Sequence, residues 1–289
     1  MLLAETNGLR VQATSPSVGG ATVRIQGLSG RYTQILADGL PLYGGQSGAV
    51  GILQIPPMDL GQGEVIKGVA SALYGMSAIG GVVNLVSRRP RPGAPEREVL
   101  FNRTSHRGTD GALWLSKAVT APWRYSTLAG VPTPGRSDFD GDGWTDLPAF
   151  GRVQARPRLY WDNGAGSSLL ATVGVMHERR RGGTMPGALL PDRTSRPERL
   201  DTTRVDAGLF ARVLLPGQRL LAVRASGATD RHDRTLGAVR ERDRGQTWFG
   251  EVSLTGTRGR HTWVGGGAVQ HDLFTPRDAM LVPGSQGRN

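Results

Sequence analysis

The heptapeptide Gly81-Val82-Val83-Asn84-Leu85-Val86-Ser87 has the β-branched, apolar composition of a short buried strand that starts at a glycine. Three more short strands are predicted before it, and glycine or proline residues separate them. They lie at residues 23–27, 33–37 and 63–68. Residues 70–74 can form one helical turn that ends at Gly75. The first 92 residues therefore predict a small mixed α/β domain.

After the prolines at positions 90, 92 and 95 the pattern changes to alternation of apolar and polar residues, which is typical of membrane β-barrel strands. On residues 153–161, Val153 and Leu159 share one face, while Arg156 and Arg158 share the other. Residues 204–213 alternate in the same way. One face suits lipid and the other suits a polar lumen, although a soluble antiparallel sheet would show the same alternation.

Connection lengths distinguish these two readings. Nine strands are predicted, near residues 97–105, 110–118, 123–131, 151–161, 168–178, 202–214, 218–229, 247–256 and 260–270. Every second connection is short, and apart from the first the intervening ones are long, at 132–150, 179–201 and 230–246. Short turns on one side and long loops on the other are typical of outer-membrane barrels. Residues 96–289 therefore predict about nine antiparallel transmembrane strands of an incomplete β-barrel.

Composition excludes several classes of protein. Cysteine is absent from the 289 residues, which excludes disulfides and thiolate metal sites. The formal charge is +11, from 35 basic and 24 acidic residues, and Lys67 and Lys117 are the only lysines. A charge of this size is compatible with a nucleic-acid-binding protein. The arginines, however, alternate with apolar residues in strand-like runs and form no dense basic block, which argues against that function.

Linked motifs in the first segment carry a resemblance to a known family. They are Arg24-Ile-Gln-Gly-Leu28, Gln34-Ile-Leu-Ala-Asp-Gly-Leu-Pro-Leu-Tyr43, Gly63-Glu-Val-Ile-Lys-Gly68, Ser71-Ala-Leu-Tyr-Gly75 and Ala78-Ile-Gly-Gly-Val-Val-Asn-Leu-Val-Ser-Arg-Arg-Pro90. In this order they resemble the plug domain of TonB-dependent outer-membrane receptors. The motif positions are Gln26, Gly27, Asp38, Gly39, Glu64, Lys67, Gly68, Tyr74, Gly75, Gly80, Gly81 and Asn84. The resemblance implies a mixed α/β plug domain over residues 1–92, followed by the N-terminal part of an antiparallel transmembrane β-barrel.

The chain departs from the family pattern at three points. Gln26 stands where such plugs usually carry arginine, Lys67-Gly68-Val69 replaces an Arg-Gly-Pro run, and Met76 replaces a frequent proline. Lysine and glutamine lack the two-pronged guanidinium fork. Family ion pairs between plug and barrel wall are therefore expected to be weaker or absent.

The resemblance also implies a ligand site on plug loops that point outward into the lumen. The corresponding residues here are Ser29, Gly30, Arg31, Tyr32, Tyr43, Gly44, Gly45, Gln46 and Ser47. Tyrosine together with arginine suits a flat or anionic chelate, through stacking and charge-assisted hydrogen bonds. The alternative is that these are ordinary turn residues.

A run of aspartates in the second segment resembles the start of a calcium loop. Asp138, Asp140, Asp142 and Asp146 occupy positions 1, 3, 5 and 9, with Gly143 at position 6. Position 12 is Ala149 instead of the bidentate glutamate, which excludes an EF-hand. An irregular structural Ca²⁺ site is predicted, with a solvated acidic turn as the alternative. No other cofactor is expected.

Nothing in the sequence supports an enzyme. His177-Glu178 lacks a second histidine at helical spacing, and no nucleophile elbow or phosphate loop is present. The resemblance implies instead an outer-membrane receptor that takes up a scarce metal chelate, with a ferric siderophore first and haem or cobalamin as alternatives. Its partners would be TonB with ExbB and ExbD, acting through an N-terminal box expected upstream of this sequence. Outer-membrane lipid and lipopolysaccharide would surround it, and no nucleic acid would bind.

Two other hypotheses are compatible with the sequence. One is a soluble, basic, β-rich nucleic-acid-binding module. The other is a non-functional, truncated remnant of a receptor, since the chain is expected to be an internal fragment of a receptor gene.

Overall fold

The computed structural model describes residues 9–15, 18, 20–25, 27–28, 32–42, 57–68, 78–91, 93–105 and 108–281. Fourteen strands lie in these residues, together with one 3-10 turn at Pro57–Asp59. Among the described residues, none of the helical segments has the length and apolar content to cross a membrane.

The first five strands form the plug. They are β1 (Leu9–Ser15), β2 (Gly20–Ile25), β3 (Thr33–Ala37), β4 (Leu60–Lys67) and β5 (Gly81–Ser87). Strands β1 and β2 form an antiparallel pair, while β5 lies in the middle of a second sheet, parallel to β3 and antiparallel to β4. The predicted strands at 33–37 and 81–87 are confirmed. The predicted helical turn at 70–74, with Tyr74 and Gly75, lies outside the described residues, as does Gln26.

The plug core is apolar and small. It contains the buried side chains of Ile25, Ile35, Ala37, Leu40, Leu42, Val83 and Leu85. Strand β5 can sit between its two neighbours because Gly81 has no side chain: a Cβ there would lie 2.3 Å from the Ile66 carbonyl oxygen. Gly81 also has a φ of +131°, which L side chains rarely adopt. The predicted Asp38-Gly39 turn has positive φ at both residues, 52° and 78°, as a tight hairpin-type turn requires.

The remaining nine strands form one antiparallel sheet, here called the wall. They are β6 (Glu96–Arg103), β7 (Thr109–Ala118), β8 (Trp123–Thr133), β9 (Ala149–Asp162), β10 (Ser168–Gly183), β11 (Pro197–Leu215), β12 (Arg219–Leu236), β13 (Val239–Arg258) and β14 (His261–Leu281). Each strand pairs with its neighbours in sequence, and in the described residues β6 and β14 are the two edges of an open sheet. The prediction of nine antiparallel strands in an incomplete barrel is confirmed.

The wall strands lengthen along the chain, from 8 residues in β6 to 21 in β14. Short turns join the strands at the end of the wall where the chain arrives from the plug. Residues 134–148 and 184–196 form longer loops at the opposite end. The predicted long loop at 230–246 is wrong, because β12 and β13 pair through this region and turn at residues 237–238. Both faces of these strand ends are polar, so they carry no alternation that would identify them as strands.

The alternation in the remainder of the wall is confirmed. Val153 is 61% exposed and Leu159 is 39% exposed, while Arg158 and Tyr160 on the same strand are buried. Strand β11 shows the same division between exposed Val205 or Leu209 and buried Arg204 or Asp206. The wall therefore presents an apolar outer face and a polar inner face, and side chains of the inner face contact the plug.

Candidate functional site on the plug and the inner wall

The predicted ligand residues lie mostly outside the described residues. Tyr32 is described, directly before β3, and its carbonyl oxygen accepts a hydrogen bond of 2.8 Å from the Gly80 amide. Residues 29–31 and 43–47, which contain the other eight positions, are outside the described part of the chain. Their role in ligand binding remains a prediction.

The described motif residues of the plug join its three-stranded sheet. Asn84 on β5 accepts a hydrogen bond of 2.8 Å from the Gly39 amide and donates one of 2.8 Å to Glu64 on β4. Gly80 and Gly81 allow close approach of the chain at the start of β5, and Lys67 pairs in register with Gly81. These motif residues therefore build the plug sheet.

Arg158 on β9 makes a buried connection between wall and plug. Its Nη1 and Nη2 donate to the two carboxylate oxygens of Asp59 at 2.5 and 2.6 Å. Its Nε lies 3.7 Å from Asp38, whose other oxygen accepts hydrogen bonds from the amide and hydroxyl of Ser87. Arg158, Asp59, Asp38 and Ser87 are all buried. One guanidinium thus connects the wall to two parts of the plug.

The expectation of weaker or absent plug–wall ion pairs came from plug positions Gln26 and Lys67. In the structure an ion pair does join plug and wall, but its guanidinium group is on the wall and its carboxylate is on the plug. Nothing in the sequence connects Asp59 with Arg158, which is 99 residues away. The placement of Arg158 on the polar face of a predicted strand was the one available signal.

Three further contacts seat the plug against the wall. Arg224 on β12 donates a hydrogen bond of 3.0 Å to the Gly39 carbonyl, and Arg180 on β10 donates one of 3.1 Å to the Val18 carbonyl. Gly208 on β11 lies against the plug core, since a Cβ there would be 2.6 Å from Leu40 Cδ1. The plug is therefore held along several strands of the wall.

The inner wall carries a buried arginine–glutamate cluster. Glu178 is fully buried and accepts hydrogen bonds of 2.7 Å from Nε of Arg152 and from Nε of Arg180. Both guanidinium groups lie over the ring of Phe150, at 5.2 and 5.3 Å from its centroid. The neighbouring His177 faces outward and contacts the Thr203 hydroxyl at 3.0 Å. His177 and Glu178 therefore point to opposite faces of the strand and form no catalytic pair.

A second inner cluster follows on the next strands. Asp206 accepts two hydrogen bonds of 2.7 Å from the guanidinium of Arg156, and Nε of Arg204 lies 3.3 Å from the same carboxylate. Arg204 also lies 3.7 Å from Asp230. Arginines with carboxylate partners thus line the lumen, a surface that suits polar and charged ligands.

The acidic run lies in the loop of residues 134–148. Carboxylate oxygens of Asp138, Asp140 and Asp146 lie within 4.8 Å of one another. Asp142 is not one of these three, and its Oδ1 accepts a hydrogen bond of 2.7 Å from the Trp144 amide. The cluster brings together three of the four predicted ligands, an oxygen set that suits a hard cation such as Ca²⁺. Calcium binding remains a prediction.

The pKa values of two of these aspartates shift in opposite directions. Desolvation raises the pKa of Asp138, but the amides of Gly141 and Gly143 donate hydrogen bonds to it, and the net pKa lies below the ordinary value. The Asp142 amide lowers the pKa of Asp140, but desolvation and the nearby carboxylates of Asp142 and Asp146 outweigh it, so this pKa is raised. Asp140 is therefore the carboxylate of the pair that protonates first on acidification.

Comparison with known proteins agrees with this architecture. The family model of the TonB-dependent receptor plug domain matches residues 1–82. The chain is 34% identical over 110 residues to the vitamin B12 transporter of Photobacterium profundum, covering 38% of this chain and 17% of that protein. It is 29% identical over 165 residues to the ferrioxamine receptor of Yersinia enterocolitica, covering 55% of this chain and 22% of that protein.

Among solved structures, the siderophore receptor PirA of Pseudomonas aeruginosa matches with a TM-score of 0.66 and 15% sequence identity. The match covers 94% of this chain and 49% of the receptor, so the chain spans about half of that structure. This similarity shows the fold. The family match relates residues 1–82 to the plug domain of TonB-dependent receptors, and the structural match extends the shared fold over 94% of the chain.

Proposed function

We propose that the protein is a receptor for TonB-energised uptake of a metal chelate across the outer membrane, with a ferric siderophore as the first substrate class and haem or cobalamin as alternatives. The observation that carries this proposal is a plug held against the polar inner face of the wall by the buried Arg158–Asp59 pair. The relatives named for ferrioxamine and vitamin B12 support metal-chelate substrates.

Uptake of this kind requires the plug to have two arrangements with different affinities for the substrate. In the proposed cycle, substrate binds at residues 29–32 and 43–47 and favours the state in which TonB, with ExbB and ExbD, engages the plug. Force on the plug must then break contacts such as Arg158–Asp59 and Arg224–Gly39 before a path opens. These contacts therefore determine how much force is needed to move the plug.

The nucleic-acid hypothesis rested on the charge of +11. Part of the basic excess is carried by Arg152, Arg158 and Arg204, which are buried on the inner wall beside carboxylates. These residues therefore do not contribute to an exposed basic stripe that could follow a phosphate backbone.

The proposed function is tested with the complete gene product in cells that lack other receptors for the tested chelates. Binding and uptake of a radiolabelled ferric hydroxamate, a ferric catecholate, haem and cobalamin are measured with and without TonB. We expect binding of one class without TonB and uptake of it only with TonB. Binding of none of the four classes contradicts the proposal.

The ligand site is tested in the same cells with Arg31→Ala and Tyr43→Ala, using Arg260→Ala in an exposed turn of the wall as the matched control. We expect both plug variants to weaken binding of the bound class while the amount of assembled receptor stays unchanged. Unchanged affinity in both variants rejects residues 29–32 and 43–47 as the ligand site.

A further inference from the structure

A cavity of about 340 Å³ lies on the inner face of the wall, at the end where the short turns are. Residues of strands β8 to β11 line it, together with Arg89 and Pro90 in the segment that leads from the plug to β6. This is the end opposite to the long loops and their aspartate cluster. None of the residues that line the cavity belongs to the predicted ligand residues.

Strand register places seven of the lining residues on one face of the wall, while Trp161 and Leu169 belong to the other face. Arg124, Tyr160, Leu170 and Phe210 are consecutive partners across β8, β9, β10 and β11. One row nearer the turns, Asp162, Ser168 and Arg212 are partners in the same way. Tyr160 is buried beneath the plug, with its hydroxyl 3.5 Å from the Ser87 hydroxyl, so this row faces inward.

The charge in the cavity is unbalanced. Arg89, Arg124 and Arg212 contribute three guanidinium groups, and Asp162 contributes one carboxylate. Within the described part of the chain, none of the three arginines has an ion pair or a side-chain hydrogen bond, and Asp162 instead accepts a hydrogen bond of 2.7 Å from the Gly164 amide. By contrast, the adjacent Arg88 binds Glu98 with both nitrogens. Among the described residues, these three arginines therefore lie close together without an anionic partner.

Two of these guanidinium groups are held by aromatic rings. Arg89 lies 5.1 Å from the centroid of Tyr160, and Arg212 lies 4.8 Å from that of Phe210. A guanidinium that stacks on a ring keeps its N–H edges available for hydrogen bonds in the plane of the group. Such pre-positioned forks match the oxygen pairs of phosphates and carboxylates.

We propose that this cavity binds a soluble oxyanion with two or more negative charges, a phosphate or a polycarboxylate. Such a ligand would receive hydrogen bonds from Arg124 and Arg212 on the wall and from Arg89 on the segment that follows the plug. It would thereby bridge the wall and the exit of the plug. The inference goes beyond the proposed uptake function and does not depend on which chelate is transported.

The test is calorimetric titration of the complete protein in detergent with inorganic pyrophosphate, and separately with tricarballylate. The test variant carries Arg124→Gln and Arg212→Gln together. The matched control is Arg260→Gln, an exposed arginine at the same end of the wall. We expect the double variant to weaken binding by at least about tenfold, since hydrogen bonds to charged groups are the strong ones, and the control to bind as the unchanged protein does.

The proposal is overturned if neither anion binds the unchanged protein, or if the double variant and the control bind equally well. The two sites are separated by cross-testing. Arg31→Ala leaves pyrophosphate binding unchanged, and the double variant leaves chelate binding at the outer loops unchanged. Loss of pyrophosphate binding in Arg31→Ala would place the anion at the loop site and overturn the assignment of this cavity. Failure of chelate uptake with intact pyrophosphate binding would overturn the proposed function alone.

Discussion

Arg158 of the wall holds both carboxylate oxygens of Asp59 in the plug, at 2.5 and 2.6 Å, and both side chains are buried. A buried ion pair contributes modestly when intact, because desolvation of the charges offsets their attraction. Removal of one partner is costly, because the other charge stays buried and uncompensated. Breaking the Arg158–Asp59 pair is therefore expected to cost much more stability than the intact pair contributes.

Asp59→Ala should destabilise the seated plug by about 3–5 kcal/mol, because Arg158 loses its two close acceptors. The measurement is protease cleavage within the plug together with thermal unfolding of the protein in detergent. The double variant Asp59→Ala with Arg158→Met should recover most of the loss. Asp192→Ala, which removes an exposed pair with Arg196, is the matched control and should change little. Equal effects of the two single variants would contradict the role given to Asp59.

Glu178→Gln should destabilise the wall by about 3–5 kcal/mol, because Arg152 and Arg180 would remain close together without the carboxylate between them. The free energy of unfolding in urea is the measurement. Glu241→Gln serves as the control, since Glu241 is half-exposed and lies 3.9 Å from Arg234. Adding Arg180→Met to Glu178→Gln should recover part of the stability, because it removes the repulsion but leaves Arg152 buried without a carboxylate, and no recovery would show that the loss has another origin.

Gly81→Ala should disrupt the plug sheet, because the new methyl group would meet the Ile66 carbonyl oxygen at 2.3 Å in a backbone conformation unfavourable for alanine. Gly63→Ala in the same sheet has open space around its Cβ and is the matched control. We expect a loss of more than about 2 kcal/mol for the first variant and less than about 1 kcal/mol for the second. Hydrogen exchange of the plug amides distinguishes the two, and similar protection in both would refute the packing argument.

If the loop binds Ca²⁺, Asp140→Asn should abolish binding and Asp142→Asn should weaken it much less, because Asp142 is not one of the three aspartates whose oxygens lie within 4.8 Å of one another. Calorimetry of the complete protein with CaCl₂ measures both variants. An equal loss of Ca²⁺ affinity in both variants would show that these three aspartates do not form the site.

The same site should lose Ca²⁺ on acidification. The raised pKa of Asp140 means that this carboxylate takes up a proton at a higher pH than an ordinary aspartate, and the proton competes with the cation. Affinity is therefore full well above the Asp140 pKa and falls as the pH is lowered through it. Titrations at neutral pH and at about pH 4, near the ordinary aspartate value, should show the loss, and constant affinity would contradict the assignment.

The sequence predicts those strands that have one apolar face turned outward and one polar face turned toward the plug. Residues 153–161 alternate because Val153 and Leu159 face outward while Arg158 and Tyr160 face the plug, and this pattern is visible in the sequence. The ends of β12 and β13 could not be predicted in this way. From Asp230 to Leu236 charged residues occupy both faces, and backbone pairing continues without any apolar side to reveal it.

The contacts between plug and wall were also beyond the sequence. Asp59 precedes a short plug strand and Arg158 is one of several arginines in the wall, so their composition gives no pairing. The inner cavity could not be predicted from the sequence for the same reason. Strand register and the path of the chain after the plug bring Arg89, Arg124 and Arg212 together. Local propensity describes single strands, whereas these sites depend on three-dimensional neighbours.

The pairing of each wall strand with its neighbours in sequence has a consequence for how the protein folds. Every ladder of the wall can form by adding one hairpin at a time, with short loops to close. The plug contacts are of another kind, because Asp59 must wait for a residue 99 positions later and Gly39 for one 185 positions later. Seating of the plug therefore depends on contacts that are far more distant in sequence than those that build the wall.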